Sequence, residues 1–155
     1  FGLLGAQAWV KAHKDKLPKI ANLFNRDGGP EPPVGISVPQ AMYDDFVKIS
    51  EPIQKIRPDY PFEVKVREPR KRPTRMGGTD ASVFAIEGVP TLGFTTEDFK
   101  GYDFDYGEIW HTERDLYTKN IPEYQEHTAT VTAIIALGVA NLDKQLSREG
   151  LYTEE

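Results

Sequence analysis

A histidine and an aspartate that lie far apart in the sequence stand out by their residue types and their settings. His111 stands in Trp110-His111-Thr112, and Asp27 stands in Asn25-Arg26-Asp27-Gly28-Gly29. The sequence has no cysteine, so a metal would have to be held by His, Asp and Glu. Zinc accepts both carboxylate oxygen and neutral imidazole. A single loop histidine is more often structural than functional, and on its own that interpretation of His111 stays open.

Two further histidines give weaker signals. His13 belongs to a lysine-rich helix surface, where we expect a solvated side chain. His127 belongs to the first turns of the last predicted helix, where we expect packing or surface exposure. His111 differs because it follows a long loop that contains Gly and Asp.

Other chemistries lack a complete motif. Asp103, Asp105 and Glu108 suggest a calcium loop, but Gly107 and Arg114 stand where an EF-hand needs oxygen ligands. An acidic, aromatic loop beside a substrate cleft is the better interpretation. No serine lies in a nucleophile elbow, and the paired glycines after Asp27 lack the Lys-Ser/Thr of a phosphate-binding loop.

A basic stretch interrupts this acidic protein. Its cations are Lys65, Arg67, Arg70, Lys71, Arg72 and Arg75. The ordinary interpretation is a solvated loop. The alternative is that Arg75, beside the Gly77-Gly78 turn, binds a carboxylate of a substrate or of another part of the protein.

Strands and loops must position these residues. Apolar runs predict strands over Ile20–Phe24, Phe62–Val66 and Val89–Phe94. The first of these would place Asp27 at the carboxyl end of a strand, where α/β proteins bind ligands. The proline-rich segment Pro30–Pro39 is predicted to be a loop.

Helices alternate with the predicted strands. They span residues 5–16, residues 40–56 with a kink at Pro52, and a short helix that Asp80 caps. The last helix takes Asn120 as N-cap, with Glu123 completing a capping box, and apolar residues recur at helical spacing to Leu146. The alternation predicts an α/β fold with a mixed or largely parallel sheet.

Length and composition limit the possibilities. The 155 residues predict one domain, 1–155, with a tail over 148–155 that frays. A net charge of −5 argues against nucleic-acid binding, and no apolar run reaches the roughly 20 residues of a membrane span. The chain opens on Phe1-Gly-Leu-Leu-Gly rather than Met, from which we expect it to be part of a longer protein.

Four segments in order carry a family resemblance. They are Phe1–Ala8, Asn25–Gly29, Gly77–Phe84 with Glu87–Pro90, and Trp110–Asp115. Together they resemble the co-catalytic di-zinc exopeptidases, a family that includes bacterial leucyl aminopeptidases, glutamate carboxypeptidase and carboxypeptidase Q. The resemblance implies the C-terminal part of a three-layer α/β/α domain with a mixed sheet.

The resemblance also implies roles for particular residues. Asp27 and His111 would each bind one of two zinc ions, which activate a hydroxide for attack on a terminal peptide bond. Asp80, Thr79, Trp110 and Arg75 would contact the substrate or support the ligands. The substrate would be a peptide, and a periplasmic or secreted location is favoured.

Departures from the family pattern limit the expectation. The remaining ligands and the glutamate base of the family precede the position of Phe1, so we expect the chain alone to be inactive. Ala81 replaces the usual His and Thr79 the usual Ser. Removing half a sheet would expose an edge that can self-associate. The alternative function is a non-catalytic domain that keeps the fold for binding or assembly.

Overall fold

The computed structural model describes residues 2–153. Five helices are present in this range: α1 (Leu4–Ala12), α2 (Tyr43–Ile56), α3 (Asp80–Ile86), α4 (Tyr106–Ile109) and α5 (Pro122–Ala140). Three strands are β1 (Pro33–Val38), β2 (Glu63–Val66) and β3 (Phe94–Thr96). Single 3₁₀ turns cover Leu17–Lys19, Gln40–Met42 and Tyr117–Lys119. None of the helices in residues 2–153 is long and apolar enough to cross a membrane.

The sheet is mixed, with the order β2-β1-β3. Strand β1 pairs parallel with β2 and antiparallel with β3. Gly35 is required in β1, since a Cβ there would lie 2.4 Å from the backbone oxygen of Glu63. The α/β class and the mixed sheet predicted from the sequence are therefore confirmed.

Helices α2 and α5 cover the sheet and form the main core with it. Ile36 and Val38 of β1 are at most 1% exposed, as are Phe46 of α2 and Val131 and Ile135 of α5. Pro52 lies inside α2, which continues through it to Ile56. A second apolar cluster joins α1 to α3 through Val10, Leu17, Val83, Phe84 and Val89.

Two strand assignments made from the sequence are wrong. The proline-rich segment expected to be a loop contains the central strand β1. Conversely, Ile20–Phe24 is extended but forms no strand, because Asn22 replaces ladder bonds with side-chain bonds to the backbone of Leu92, at 2.8 and 3.2 Å. Residues 89–93 are likewise irregular, and β3 begins only at Phe94.

The predicted helix caps are displaced by one residue. Thr79, not Asp80, precedes α3, and Asp80 is its first residue. Ile121 precedes α5, and the side chain of Asn120 instead donates a hydrogen bond to Gln125 Oε1 at 3.1 Å. Helix α5 also ends at Ala140, before the predicted Leu146, which is buried beyond the helix.

The end of the chain was expected to fray, whereas its described part packs against the domain. Leu151 is 1% exposed, and Tyr152 forms a bridge with Arg70. The guanidinium of Arg148 donates to the carbonyls of Leu17 and Gly88 at 3.1 and 3.0 Å. Burial of an apolar side chain and charge-assisted bonds both hold residues 148–153 in place.

Candidate metal centre

The loop that carries Asp27 is fixed by local hydrogen bonds. Asn25 Nδ2 donates to Asp27 Oδ2 at 2.8 Å, and the amide of Gly29 donates to the Asp27 carbonyl at 3.2 Å. The guanidinium of Arg26 donates to the Gly29 carbonyl at 2.8 Å and also to that of Glu31. These contacts leave the second carboxylate oxygen, Oδ1 of Asp27, available for a ligand, and the residue itself is exposed.

Gly29 brings this loop against the segment before His111. Its φ of +65° lies in the left-handed region that favours glycine. A Cβ at this position would lie 2.8 Å from Phe104 Cε1 and 3.2 Å from Tyr106 Cδ2. The second glycine of the Asp27 motif therefore allows the two loops to touch.

His111 is held by the turn that follows α4. Asp105 Oδ1 accepts a hydrogen bond from the amide of Gly107 at 2.8 Å and caps this helix. The hydroxyl of Thr112 lies 3.0 Å from the carbonyls of both Glu108 and Ile109. His111 itself has φ of +58°, a conformation uncommon outside glycine. Such strain is found at functional sites, where surrounding bonds maintain it.

The loop between β3 and α4 is tied to the start of α5. Glu123 accepts hydrogen bonds from Lys100, Tyr102 and Tyr60, the last at 3.0 Å. The ammonium of Lys100 and the hydroxyl of Tyr102 lower the pKa of Glu123 to about 2. The side chain of Asp98 accepts from the hydroxyl of Tyr124 at 2.6 Å. These bonds fix the acidic, aromatic loop that leads to His111.

Asp27 and His111 line one open cleft of about 600 Å³. Thr79 and Trp110 line it too, and the indole of Trp110 stacks on the His111 ring at 4.4 Å between centroids. The remaining lining residues are Gly29, Gly78, Tyr106, Ile109 and Asp115. Asp27 and His111, which lie 84 positions apart in the sequence, thus line the same cleft.

The other two residues singled out from the sequence do not line this cleft. Asp80 faces a separate apolar hollow that Trp9 and Phe84 also line. Arg75 is exposed and does not line this cleft. Asp115 is the last residue of the motif that starts at Trp110, but the sequence predicts no role for it. The fold shows that Asp115 also lines the cleft.

The donors fit zinc but are too few to complete a site. The carboxylate of Asp27 and the imidazole of His111, both exposed, are ligands that zinc accepts, and the carboxylate of Asp115 also lines the cleft. Within residues 2–153, no three or more His, Cys, Asp or Glu side chains form a group that would hold a metal. A catalytic zinc normally has about three protein ligands, so further donors are needed.

The domain is of the mixed α/β class, with a carboxylate and an imidazole in one open cleft. The model of peptidase family M28 matches residues 1–135, and the chain belongs to this family. It is also similar to the crystal structure of a peptidase M28 precursor from Shewanella amazonensis SB2B, with a TM-score of 0.68 and 24% sequence identity. That match covers 95% of this chain and 30% of the other chain. No curated protein matches the chain.

Proposed function

We propose that this chain forms part of a zinc-dependent exopeptidase, in which Asp27 and His111 each bind one of two zinc ions. The observation that carries the proposal is that these two side chains, from separate loops, line one open cleft in a member of peptidase family M28. The substrate is a peptide with a terminal bond to be hydrolysed.

The chain's own residues supply ligands and cleft walls. Zinc in this site would polarise the scissile carbonyl and favour deprotonation of water. Trp110 and Thr79 lie where they can contact the substrate beside the ligands. The strained turn at His111, held by the Thr112 hydroxyl, keeps the imidazole at the cleft. Asp80 and Arg75 would act through neighbouring residues, because neither lines the cleft.

The general base and the remaining ligands are proposed to come from outside these 155 residues. Two ligands cannot hold two zinc ions, so the isolated chain should bind zinc weakly and hydrolyse no peptide. The full-length gene product is therefore the form to test.

The test compares ligand variants with matched controls in the full-length gene product. We expect Asp27→Asn and His111→Ala each to lose bound zinc and to lower kcat/KM for peptides by more than about a hundredfold, beyond what loss of a supporting contact costs. Asp15→Asn and His13→Ala change the same residue types away from the cleft. These controls should keep both the bound zinc and the wild-type kcat/KM. Zinc is measured by elemental analysis.

A wild-type protein with no zinc and no peptidase activity would contradict the proposal. That result would favour the alternative of a binding or assembly domain. Full activity in both ligand variants would leave the enzyme class standing and refute the assignment of Asp27 and His111.

A further inference from the structure

A second cavity, of about 670 Å³, continues from the metal cleft. It shares Asp27, Thr79 and Tyr106 with that cleft. The further lining includes two cations, Arg70 and Lys71. A substrate group that enters this cavity would therefore lie next to the proposed zinc ligand Asp27.

The cavity is positive in a negatively charged protein. Of the described residues that line it, Asp27 is the one carboxylate, against the two cations. A zinc ion on Asp27 would offset that negative charge too. The remaining polar side chains are the amide of Asn25 and the hydroxyls of Thr79, Ser82, Thr91 and Tyr106. Charge and hydrogen-bond donors both favour an anionic ligand.

Arg70 is already held in position for such a ligand. One Nη donates to the Thr91 hydroxyl at 2.8 Å, and the guanidinium lies 5.8 Å from the centroid of the Tyr152 ring. An arginine carries five N–H donors, so a fixed guanidinium keeps donors for a carboxylate. Among residues 2–153, neither Arg70 nor Lys71 forms an ion pair with a carboxylate.

Two neighbouring cations of the basic stretch have structural roles instead. Arg67 donates to the carbonyl of Glu68 at 3.1 Å, and Arg72 Nε donates to that of Ile86 at 2.9 Å. Neither lines the cavity. Within the basic stretch, Arg67 and Arg72 therefore hold the fold, whereas Arg70 and Lys71 line the cavity.

We propose that the cavity lined by Arg70 and Lys71 is a subsite that binds a carboxylate of the peptide substrate. The proposal rests on the proposed peptidase function and names its substrate class: peptides that carry either an acidic side chain or a free C-terminal carboxylate next to the scissile bond.

Four dipeptides separate the two sources of the carboxylate. They are Ala-Glu, Ala-Gln and their C-terminal amides, tested with the zinc-loaded full-length gene product. Preference for Ala-Glu-amide over Ala-Gln-amide assigns the subsite to the side chain. Preference for each free acid over its amide assigns it to the terminus. Because the attraction is ionic, the preference of the wild type for the peptide that carries the carboxylate should decrease as salt is raised.

The variants test whether the two cations cause the preference. Lys71→Met removes the charge and keeps a long apolar stem. We expect the preference for the peptide that carries the carboxylate to decrease about tenfold or more, which is the usual effect of losing one charge-assisted bond. Arg70→Lys keeps the charge but not the planar fork, and should reduce the preference less. Lys65→Met, on strand β2 away from the cavity, should leave the preference unchanged.

The possible failures are distinguishable. Hydrolysis of other peptides but of none of the four would overturn the subsite and leave the peptidase function intact, whereas the absence of any peptidase activity would refute both. Equal hydrolysis of all four, or a preference that neither salt nor Lys71→Met reduces, would overturn the subsite and leave the peptidase function intact.

Discussion

At the scale of single residues, His127 is the buried polar side chain on which the packing of α5 depends. It is fully buried, its Nε2 lies 3.0 Å from the carbonyl of Pro33, and its ring stacks on Tyr60 at 3.9 Å between centroids. A carbonyl can only accept, so Nε2 carries the proton and Nδ1 does not. The structure thus confirms packing, one of the two expectations for this histidine.

Burial gives His127 a pH-dependent effect on stability. Desolvation lowers its pKa below the ordinary 6.5, with a smaller opposing effect of the bond to Pro33. The unfolded chain therefore binds a proton at a pH where the folded protein does not. The stability that neutral His127 contributes is present above pH 6.5 and is lost as the pH falls below it.

The prediction is that His127→Gln destabilises the full-length gene product at pH 7.5, by about 1–3 kcal/mol for a disrupted buried hydrogen bond and stacking contact. The difference from the wild type should become smaller between pH 6.5 and 5. Urea unfolding of the wild type and the variant at a series of pH values, both without metal, measures this difference. A difference that stays constant or grows at low pH would contradict the prediction.

At the scale of elements, the contact between α2 and α5 depends on Gly138. A Cβ there would lie 2.3 Å from Ile49 Cγ2 and 2.9 Å from Cγ1. Alanine normally stabilises a helix interior relative to glycine by roughly 1 kcal/mol. Gly138→Ala should do the opposite, because the main core would have to shift.

The matched control for Gly138→Ala is Gly5→Ala in α1, where an added Cβ meets nothing within 4 Å. We expect Gly5→Ala to be neutral or stabilising and Gly138→Ala to cost about 1–3 kcal/mol. Ile49→Ala removes the nearest methyl groups, so the double variant should be more stable than the sum of both single changes. Additive effects would show that the helices do not meet as described.

Helix α2 is predictable from the sequence because its apolar positions are the ones that are buried, and its predicted bounds lie within a few residues of those observed. Strand β2 is predictable from the alternation of apolar and charged residues, although Val66 is 45% exposed. Strand β1 was missed because prolines lie at its start and just beyond its end, although a proline at the first residue of a strand costs no interior ladder bond. The apolar run Ile20–Phe24 predicts a strand, because such a run does not reveal that Asn22 bonds to the backbone of Leu92.

The candidate site was predictable in part for similar physical reasons. His111 and Asp27 were recognisable because their residue types are zinc ligands and their motifs are ordered along the chain. That they line one cleft depends on Gly29, whose contact with Phe104 joins residues 75 positions apart. No local pattern encodes such a contact. The same holds for the cavity with Arg70 and Lys71, since adjacent cations in a basic stretch look alike until the fold separates them.

At the scale of the whole molecule, the end of the chain joins the two apolar clusters. Leu151 belongs to the main core, while Arg148 reaches residues around the second cluster, donating to the carbonyls of Leu17, Ile20 and Gly88 at 3.0–3.2 Å. The β1 side of the domain and the α1–α3 side are therefore connected by six residues, 148–153, that were expected to fray.

We predict that Leu151→Ala destabilises the full-length gene product by about 2–5 kcal/mol, the usual cost of truncating a buried leucine. Arg148→Met should cost less globally but should raise amide hydrogen exchange at residues 17–20 and near Gly88, whose carbonyls lose their donor. Leu137→Ala is the matched control, because Leu137 is 64% exposed and its loss should change stability by less than about 0.5 kcal/mol. A frayed tail predicts the reverse: Leu151→Ala would be as mild as Leu137→Ala, and Arg148→Met would leave exchange around Leu17 unchanged.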